Sequence, residues 1–340
     1  MNATAPTLPV VIPTLGRPIL VQTLESISAA AGFESLEVVI AGRIADGPVL
    51  DRIVRLCRAH PQVRHLPVSF EHGDSSNKKN AGFRDSRTDI VAFIDDDVVV
   101  AKDWPARILE PFRDPAVGLV SGPSLVPEDI SLMGRLAGVA LASKAAGYVA
   151  ERYLAGGSGP REVKWSHLIG CNMAYRKTVL ADIGEFDPAF WPGEEMIAAF
   201  KATSRGHKLV FHPGAWLYHY PRASFTRFWR QIHGYGATRI RLIRAGVEFE
   251  PTTMVPGLWL LSLVVLGAAA FVNRWFAALL GAEVGLYLLW DLTIALRKAA
   301  ETGKAADAFV FFLVPIMHFS YGLGEWVEFF RPGRDLSEGR

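Results

Sequence analysis

Short apolar runs alternate with helical patterns over the first hundred residues of the chain. Apolar, mostly β-branched residues fill positions 10–12, 36–40 and 90–94, while positions 20–31 and 49–59 carry apolar residues at helical spacing. Strands that alternate with helices in this way predict βαβ units and a mostly parallel sheet with helices on its faces. Ligands of such sheets bind at the carboxyl ends of the strands, so a site is expected there.

A different pattern begins near residue 250, where long apolar stretches replace this alternation. Residues 254–272 carry no charge, and about 19 residues at about 1.5 Å each cover nearly 30 Å of hydrocarbon. A second stretch, 275–296, contains Glu283 and Asp291, and a third covers 308–323. We expect the first two to span a membrane; the third could span it or lie along it, and we favour spanning. Glu283 should face protein or be protonated, because a lone carboxylate in lipid is costly. As a buried soluble core, three consecutive apolar helices would present little polar surface to water.

Charged residues around these stretches predict the orientation of the chain. Arg297, Lys298 and Lys304 lie between the second and third stretches, and the positive-inside rule places such a loop in the cytoplasm. The apolar residues 8–12 are too few, and lack a preceding basic segment, to form a signal peptide. We therefore expect a multi-pass protein of the cell inner membrane whose α/β domain lies in the cytoplasm.

Composition agrees with this division and excludes one class of ligand. The 340 residues are 50% hydrophobic, with a mean hydropathy of +0.20, which is high for a soluble protein. The net charge of +2 is too small for the basic face that nucleic-acid-binding domains present. Cys57 and Cys171 match no zinc-site spacing and no disulfide framework, so we interpret both as ordinary core residues.

Three consecutive carboxylates, Asp95, Asp96 and Asp97, follow the apolar run at 90–94; we call them the aspartate cluster. Adjacent carboxylates repel one another unless a cation or hydrogen-bond donors neutralise them. A hard divalent cation held by one or two carboxylates and by diphosphate oxygens would remove that repulsion. The competing interpretation is a solvated acidic turn after the strand.

A basic stretch precedes the first long apolar segment. Residues 222–244 contain six arginines and no acids, with aromatic residues interleaved. This pattern is typical of an interfacial helix on anionic lipid, and it also suits arginines that bind a lipid-linked diphosphate. Nucleic acid is the competing ligand, but the neighbouring apolar stretches disfavour it.

Six motifs, in this order along the chain, resemble glycosyltransferase family 2, whose members have the GT-A fold. The motifs are residues 10–18, residues 77–84, the aspartate cluster, residues 170–176 with 183–187, residues 193–195, and residues 212–219. Together they cover roughly residues 8–240. The resemblance implies an α/β, GT-A catalytic domain with a Rossmann-like, mostly parallel sheet, followed by C-terminal transmembrane helices. Residues 235–239 and 318–324 further resemble bacterial membrane-associated exopolysaccharide glycosyltransferases of the succinoglycan type.

The resemblance also implies which residues bind the donor, a nucleoside diphosphate sugar. The nucleotide-side residues would be Pro13, Thr14, Arg17, Asn80, Asp95 and Asp96. Mn²⁺ or Mg²⁺ would be bound by Asp97 and His219, and would offset charge on the departing diphosphate. Which part of the nucleotide Asp95 contacts, and which part Asp96 contacts, stays open. A lone histidine is as often a core or surface residue as a metal ligand.

Two glutamates occupy the position of the family's catalytic acids. Glu195 replaces the catalytic aspartate, which implies that it is the base that removes the proton of the acceptor hydroxyl. Glu194 would be a second partner of that hydroxyl. The competing interpretation is a pair of acids stabilised in the first turn of a helix by the helix dipole.

Two departures from the family pattern bear on the substrate. At residues 41–46 the family has an acidic run that contacts the base of the nucleotide, but in this chain the acid is displaced. The preferred nucleotide is therefore open, with a UDP-sugar as the expected donor. Residues 231–235 keep only the glutamine and an aromatic residue of the motif found in processive members, so we expect single-sugar addition rather than polymerisation.

These observations predict three regions: a GT-A domain at 1–225, a basic amphipathic interfacial connector at 226–250, and a membrane domain of about three helices at 251–330. The expected reaction is metal-dependent, inverting transfer of a hexose to a lipid-linked saccharide at the bilayer, in the synthesis of cell-surface polysaccharide or glycolipid. Three alternatives are open: a polyprenyl-phosphate sugar synthase, a nucleotidyltransferase, and a non-catalytic membrane subunit that binds a sugar nucleotide.

Overall fold

The computed structural model describes residues 8–72, 74–154, 156–157, 159–190, 192–221 and 223–331. The chain forms two compact units. The first unit comprises Met1–Pro127 and Glu151–Tyr220, and the second comprises Glu128–Ala150 and Pro221–Arg340. Residues 128–150 thus group with the C-terminal part of the chain, whereas the predicted domains divide it into consecutive segments. Those domain limits stay a prediction.

The first unit contains, among its described residues, the strands β1 (Leu8–Pro13), β2 (Leu36–Ala41), β3 (Val63–Leu66), β4 (Ile90–Ile94), β5 (Val98–Val100), β6 (Val117–Ser121), β7 (Ser124–Leu125), β8 (Arg161–Val163), β9 (Asn172–Arg176), β10 (Lys208–Phe211) and β11 (Leu217–His219). One sheet has the strand order β3-β2-β1-β4-β9-β6-β10-β8. Its neighbours are parallel except where β9 pairs with β4 and β6, and where β8 pairs with β10. The predicted mostly parallel sheet is therefore confirmed. A small sheet has the order β5-β11-β7.

The described α-helices are α1 (Ile19–Ser28), α2 (Pro48–Ala59), α3 (Asp74–Asp85), α4 (Trp104–Leu109), α5 (Leu132–Leu141), α6 (Lys177–Asp182), α7 (Glu194–Ser204), α8 (Phe225–Arg244), α9 (Val255–Ala270), α10 (Arg274–Thr302) and α11 (Val310–Phe330). Short 3₁₀ helices cover Phe33–Ser35, Glu110–Arg113, Lys144–Tyr153, Trp165–His167, Pro251–Met254 and Ala305–Phe309. Helix α5 and helices α8 to α11 lie in the second unit.

The central strands of the first unit are buried on both faces. Val10 and Val11 on β1, and Ala92 and Phe93 on β4, are completely buried. Neighbouring residues of a strand point to opposite faces, so a strand without polar alternation must be covered on both sides. This is why the sequence shows continuous apolar runs there, and why the polar residues that follow each run emerge at the edge of the sheet.

Helix α8 crosses α11 at very short distance within the second unit. A Cβ atom at Gly236 would lie 2.0 Å from the carbonyl oxygen of Tyr321. A Cβ atom at Gly324 would lie 2.1 Å from the carbonyl oxygen of His233. Only glycine fits at these two positions, and close approach through small residues is a common way to pack helices in membranes.

The basic end of α8 is neutralised inside the second unit. Arg241 Nε lies 3.1 Å from Glu328 Oε2, and Arg244 Nη1 lies 3.5 Å from Glu328 Oε1. Arg239 is buried and donates a hydrogen bond of 2.6 Å to the hydroxyl of Tyr148. These three arginines of the basic stretch are therefore engaged within the protein, and the hypothesis that they face lipid or bind a diphosphate does not describe them.

The first half of α8 agrees better with an interfacial helix. Arg227 and Arg230 are exposed, and so is Phe225 at the start of the helix. Arg222, the first arginine of the basic stretch, lies outside the described residues. The lipid contact predicted for the 226–250 connector therefore concerns the beginning of the helix.

Three segments in the described part of the chain are long and apolar enough to cross a membrane: Pro251–Ala270, Arg274–Thr302 and Ala305–Phe330. Large apolar side chains such as Val264, Val265 and Leu286 are exposed on these helices, an arrangement that suits lipid and not water. Glu283 accepts a hydrogen bond of 2.5 Å from the hydroxyl of Ser262, so it faces protein as expected. The chain is a membrane protein.

Candidate functional site

The pairing of β4 with β9 brings a cysteine beside the aspartate cluster. The two strands are antiparallel, with Ile94 opposite Asn172. The next residues outward are Asp95, which follows β4, and Cys171, which precedes β9. Side chains in such directly opposed positions lie close enough to interact. The register of β4 and β9 therefore brings Asp95 and Cys171 together, although their spacing in the sequence gives no sign of it.

A second pairing brings a histidine to the same cluster. Strand β5 is antiparallel to β11, with Val98 opposite His219. The backbone N–H of Tyr220 donates a hydrogen bond of 3.1 Å to the carbonyl oxygen of Asp97 and extends this pairing by one residue. His219, predicted to lie at a strand end, is the last residue of β11 and is held beside the acids by backbone hydrogen bonds.

Four side chains converge where these strands end. His219 Nε2 lies 3.1 Å from Asp97 Oδ1 and 4.0 Å from Asp95 Oδ2. Ligand atoms of Asp95, Cys171 and His219 all lie within 4.8 Å of one another. Asp97 is buried, whereas the side chain of Asp95 is 39% exposed. Asp95 is therefore the member of the group that a ligand can reach from solvent.

Asp96 faces away from this group and toward the end of β1. It accepts a hydrogen bond of 2.6 Å from the hydroxyl of Thr14, and its other oxygen accepts one from Arg17. Arg17 Nη2 also lies 2.9 Å from Asp97 Oδ2. Pro13 is the last residue of β1, so the predicted residues Pro13, Thr14 and Arg17 form one turn against the buried Asp96.

The neighbouring charges shift the pKa values of Asp95 and His219. Burial and the neighbouring Asp97 raise the pKa of Asp95, although the cations around it act in the opposite direction. Burial lowers the pKa of His219, but Cys171 and Asp97 outweigh it and raise that pKa well above its usual value. Carboxylates and an imidazole that influence one another in this way form an environment that favours added positive charge.

The two predicted catalytic glutamates begin helix α7. Gly193, which precedes them, has a φ of 115°, a conformation that side chains other than hydrogen rarely adopt. Lys79 Nζ lies 3.1 Å from Glu194 Oε1, and both side chains are buried. Glu195 packs against Gly170, where an added Cβ would lie 3.1 Å from Glu195 Cδ.

A single buried lysine relates these glutamates to the aspartate cluster. Burial acts to lower the pKa of Lys79, but Glu194, Glu195 and Asp95 outweigh it and raise that pKa above its usual value. Burial acts to raise the pKa of Glu194, but Lys79 outweighs it and lowers it. Burial and the charge of Glu194 raise the pKa of Glu195 to about 7. The two groups of acids therefore belong to one site.

The family model described as glycosyltransferase like family 2 matches residues 6–233 of the chain. This match covers more than half of the chain and includes every predicted site residue. The chain is a family 2 glycosyltransferase. The resemblance drawn from the six motifs is thereby confirmed.

Two relatives of this glycosyltransferase are named for the synthesis of a saccharide polymer or of succinoglycan. Poly-beta-1,6-N-acetyl-D-glucosamine synthase of Staphylococcus aureus is 24% identical over 179 residues, which is 52% of the present chain and 40% of the synthase. Succinoglycan biosynthesis protein ExoM of Rhizobium meliloti is 34% identical over 112 residues, 32% of the chain and 36% of that protein. The chain thus matches well under half the length of either relative. The predicted similarity to the succinoglycan type is confirmed.

The fold of the family 2 glycosyltransferase has a solved counterpart. The mannosyltransferase PcManGT from Pyrobaculum calidifontis, in complex with GDP-Man and Mn²⁺, superposes with a TM-score of 0.60. The likeness covers 92% of the present chain and 88% of PcManGT at 19% sequence identity. The predicted GT-A catalytic domain followed by C-terminal apolar helices is confirmed at the level of the fold.

One predicted nucleotide-binding residue of the glycosyltransferase has a different environment from the others. Asn80 is buried, donates a hydrogen bond of 2.8 Å to the carbonyl oxygen of Phe186 and accepts one of 3.0 Å from its N–H. The side-chain amide of Asn80 therefore fixes the backbone at Phe186 by binding both its N–H and its carbonyl oxygen. We assign Asn80 a positioning role, and nucleotide contact by this residue stays a prediction.

Two residues of the site escaped sequence reasoning. Lys79 lies in the motif at 77–84, but the sequence assigned it no role. Its burial beside Glu194 shows that it pairs with that carboxylate. Cys171 was interpreted as an ordinary core residue; it does lie in the hydrophobic core, but its thiol also lies among potential metal ligands. The sequence does place Cys171 in a family motif, directly before Asn172. That position does not indicate which side chains the thiol would meet.

The donor atoms at the strand ends fit a hard divalent cation. Asp95 and Asp97 offer carboxylate oxygens, and His219 offers an imidazole nitrogen. Oxygen ligands suit Mg²⁺ and Mn²⁺, and imidazole is also tolerated by first-row transition metals. The predicted metal residues Asp97 and His219 are thus adjacent, and Asp95 is within reach of the same ion.

Proposed function

We propose that this glycosyltransferase transfers a hexose, with inversion at the anomeric carbon, from a nucleoside diphosphate sugar to a hydroxyl group of a lipid-linked saccharide. The observation that carries the proposal is that one site contains both potential metal ligands and a potential general base. Side chains that could bind a metal lie at the strand ends, and Glu195, whose pKa is raised to about 7, lies at the start of α7. A general base works best when its pKa is near the pH of the reaction.

The donor diphosphate is assigned to the strand ends. Asp95, Asp97 and His219 would hold Mn²⁺ or Mg²⁺, which when bound supplies positive charge against the departing diphosphate. Because both oxygens of Asp96 already accept hydrogen bonds at the β1 turn, we assign the exposed Asp95 to the nucleotide and metal and Asp96 to the turn. The complex of PcManGT with GDP-Man and Mn²⁺ supports a nucleotide sugar and a divalent metal.

The acceptor is assigned to the Glu194 and Glu195 side of the site. Glu195 takes the proton of the acceptor hydroxyl as its oxygen bonds to the anomeric carbon, and the bond from that carbon to the diphosphate breaks. Lys79 keeps Glu194 ionised, and that charge raises the pKa of Glu195. A phosphate acceptor would need no such base, so this arrangement supports a saccharide hydroxyl over the phosphate used by a polyprenyl-phosphate sugar synthase.

The acceptor lipid and the cellular location follow from the apolar helices. A site tethered at a bilayer meets membrane-embedded substrates at raised effective concentration. Arg297 and Lys298 near the end of α10, and Lys304 directly after it, support a cytoplasmic orientation in the inner membrane. The named activities of the relatives support cell-surface polysaccharide or glycolipid synthesis. A UDP-sugar stays the expected donor, although the nucleotide in PcManGT is GDP.

A donor screen on the full chain tests the proposal. The purified protein in lipid is given UDP-hexoses or GDP-mannose, with polyprenyl diphosphate-linked saccharides, in Mn²⁺ or in a chelator. Mass analysis should show one hexose added to the lipid and one nucleoside diphosphate released, with no product in the chelator. Release of pyrophosphate would indicate a nucleotidyltransferase, and nucleotide binding without turnover a non-catalytic subunit.

The acceptor class needs its own comparison, with polyprenyl phosphate in place of the saccharide lipid. The expected result is transfer to the saccharide lipid that depends on Glu195. Transfer to polyprenyl phosphate at an undiminished rate in Glu195→Gln would replace the proposal with a synthase.

A further inference from the structure

A buried thiol faces the proposed metal site of this glycosyltransferase. Cys171 is 5% exposed, and its sulfur lies within 4.8 Å of ligand atoms of Asp95 and His219. It forms no disulfide within the described chain. Neither the transfer reaction nor the Mn²⁺ or Mg²⁺ assigned above has a use for a sulfur atom there.

The backbone and side chains around Cys171 hold it in place. Asn172, the next residue, is fully buried and accepts a hydrogen bond of 2.9 Å from Trp104 Nε1. It also donates one of 2.7 Å to the carbonyl oxygen of Ala215. His219 is fixed from the other side by the pairing of β11 with β5. The sulfur and the imidazole thus approach each other from two anchored strands.

The spacing of the three ligand atoms is close to what one ion requires. Zinc binds sulfur at about 2.3 Å and nitrogen or oxygen at about 2.0–2.2 Å, so two ligands of a tetrahedral ion lie about 3.5 Å apart. The largest separation here is within 4.8 Å. A shift of about 1 Å shared by side chains would close the difference.

Ligand chemistry decides which ions gain from the sulfur. Thiolate is a soft ligand that suits Zn²⁺ and similar ions, whereas Mg²⁺ and Mn²⁺ prefer carboxylate and water oxygens. A site that offers sulfur, imidazole and carboxylate together has the composition of a zinc site and not only of a magnesium site.

We propose that Cys171 is a thiolate ligand when a thiophilic divalent cation occupies this site, together with Asp95 and His219. The ion displaces the thiol proton, which passes to solvent, as the metal–sulfur bond forms. Zn²⁺ and Cd²⁺ should then bind more tightly than Mn²⁺ and compete with it. The inference deepens the metal site of the proposed function and rests on that site, but not on the transfer reaction.

The test is a Cd²⁺ titration of the full chain in detergent, without donor sugar, followed by the ultraviolet thiolate-to-cadmium absorption band. The chain has two cysteines, so Cys57→Ser leaves Cys171 as the only thiol. We expect the band in the wild-type protein and in Cys57→Ser, and its loss in Cys171→Ser. Cys57 lies on α2 and is the matched control. No band in folded Cys57→Ser protein overturns the proposal without any need for the Cys171 variant.

Metal affinities separate a ligand from a packing residue. Loss of an outer-shell partner costs about 10- to 100-fold in metal affinity, and loss of a direct ligand should cost at least as much. Cys171→Ser should therefore weaken Cd²⁺ binding by at least about tenfold while Mn²⁺ binding, measured by spin resonance, persists. Equal weakening of both ions would assign Cys171 a packing role and contradict the proposal.

Failure of this inference is distinguishable from failure of the proposed function. A cadmium band from Cys171 in a protein that transfers no sugar would support the inference alone. Mn²⁺-dependent transfer in a wild-type protein that shows no band would support the proposed function alone.

Discussion

The aspartate cluster and the contact between α8 and α11 both contain buried acids, but they are neutralised differently. Glu328 meets Arg241 and Arg244, so one carboxylate has two guanidinium partners. In the aspartate cluster, Arg17 contacts Asp96 and Asp97, whereas Asp95 has the titratable His219 at 4.0 Å. Leaving buried charge uncompensated costs several kcal/mol per ion. The first arrangement completes the fold, and the second is suited to a cation from outside.

The largest effect should come from removing the proposed base, Glu195. Glu195→Gln keeps the size of the side chain and its place against Gly170 but cannot accept a proton. We expect kcat to fall by about 10²- to 10⁴-fold, measured by release of nucleoside diphosphate. Glu34→Gln, an exposed glutamate, is the matched control. Undiminished turnover in Glu195→Gln would remove this residue from the chemistry.

The next effect tests whether the cluster is indeed short of a cation. Asp97→Asn removes one charge beside His219, and we expect turnover to fall by about 10²- to 10³-fold with weakened Mn²⁺ binding. Asp89→Asn, at an exposed position, should bind Mn²⁺ as the wild-type protein does. If Asp97→Asn bound Mn²⁺ normally, the comparison between the two regions would fail.

A smaller effect should appear in the dependence of activity on pH. The pKa of Glu195 is raised to about 7, and the base acts in its deprotonated form. The ratio kcat/KM should therefore fall about tenfold per pH unit below pH 7 and level off above it. A profile that stays flat down to pH 5 at constant Mn²⁺ occupancy would contradict this assignment.

The smallest effect concerns stability rather than activity. Glu328→Ala removes the acid beside Arg241, whose side chain is mostly buried, and beside the more exposed Arg244, which keeps its hydrogen bonds to backbone carbonyl oxygens. The loss of the partner of Arg241 costs about 1–3 kcal/mol. We expect a lower melting temperature in detergent with unchanged turnover per folded molecule. Glu301→Ala, at an exposed acid on α10, provides the control. Loss of turnover in folded Glu328→Ala protein would show that the paired charges also serve the reaction.

Local patterns sufficed for much of the fold. The apolar runs at 10–12, 36–40 and 90–94 became β1, β2 and β4, because a strand buried on both faces must be continuously apolar. The insertion of antiparallel β9 between β4 and β6 was not predicted, since pairing between segments about 50–80 residues apart leaves no periodicity in either.

The candidate site was predictable where neighbours in sequence carry the chemistry. The aspartate cluster and the two glutamates of α7 were found in this way. Lys79 and Cys171 were missed because their partners lie on other elements, and only register and burial bring them together. The environment of Arg241 and Arg244 was not predicted for the same reason, because their partner Glu328 lies on α11.

The close crossing of α8 and α11 has a consequence for the synthesis of the chain. Tyr321 follows Gly236 by about 85 residues, which a ribosome adds in about 4–17 s at about 5–20 residues per second. During that interval α8 has exposed arginines and an uncovered apolar face, the composition of a helix that rests on anionic lipid. Helix α11 therefore completes the burial of a helix that the ribosome released several seconds before it.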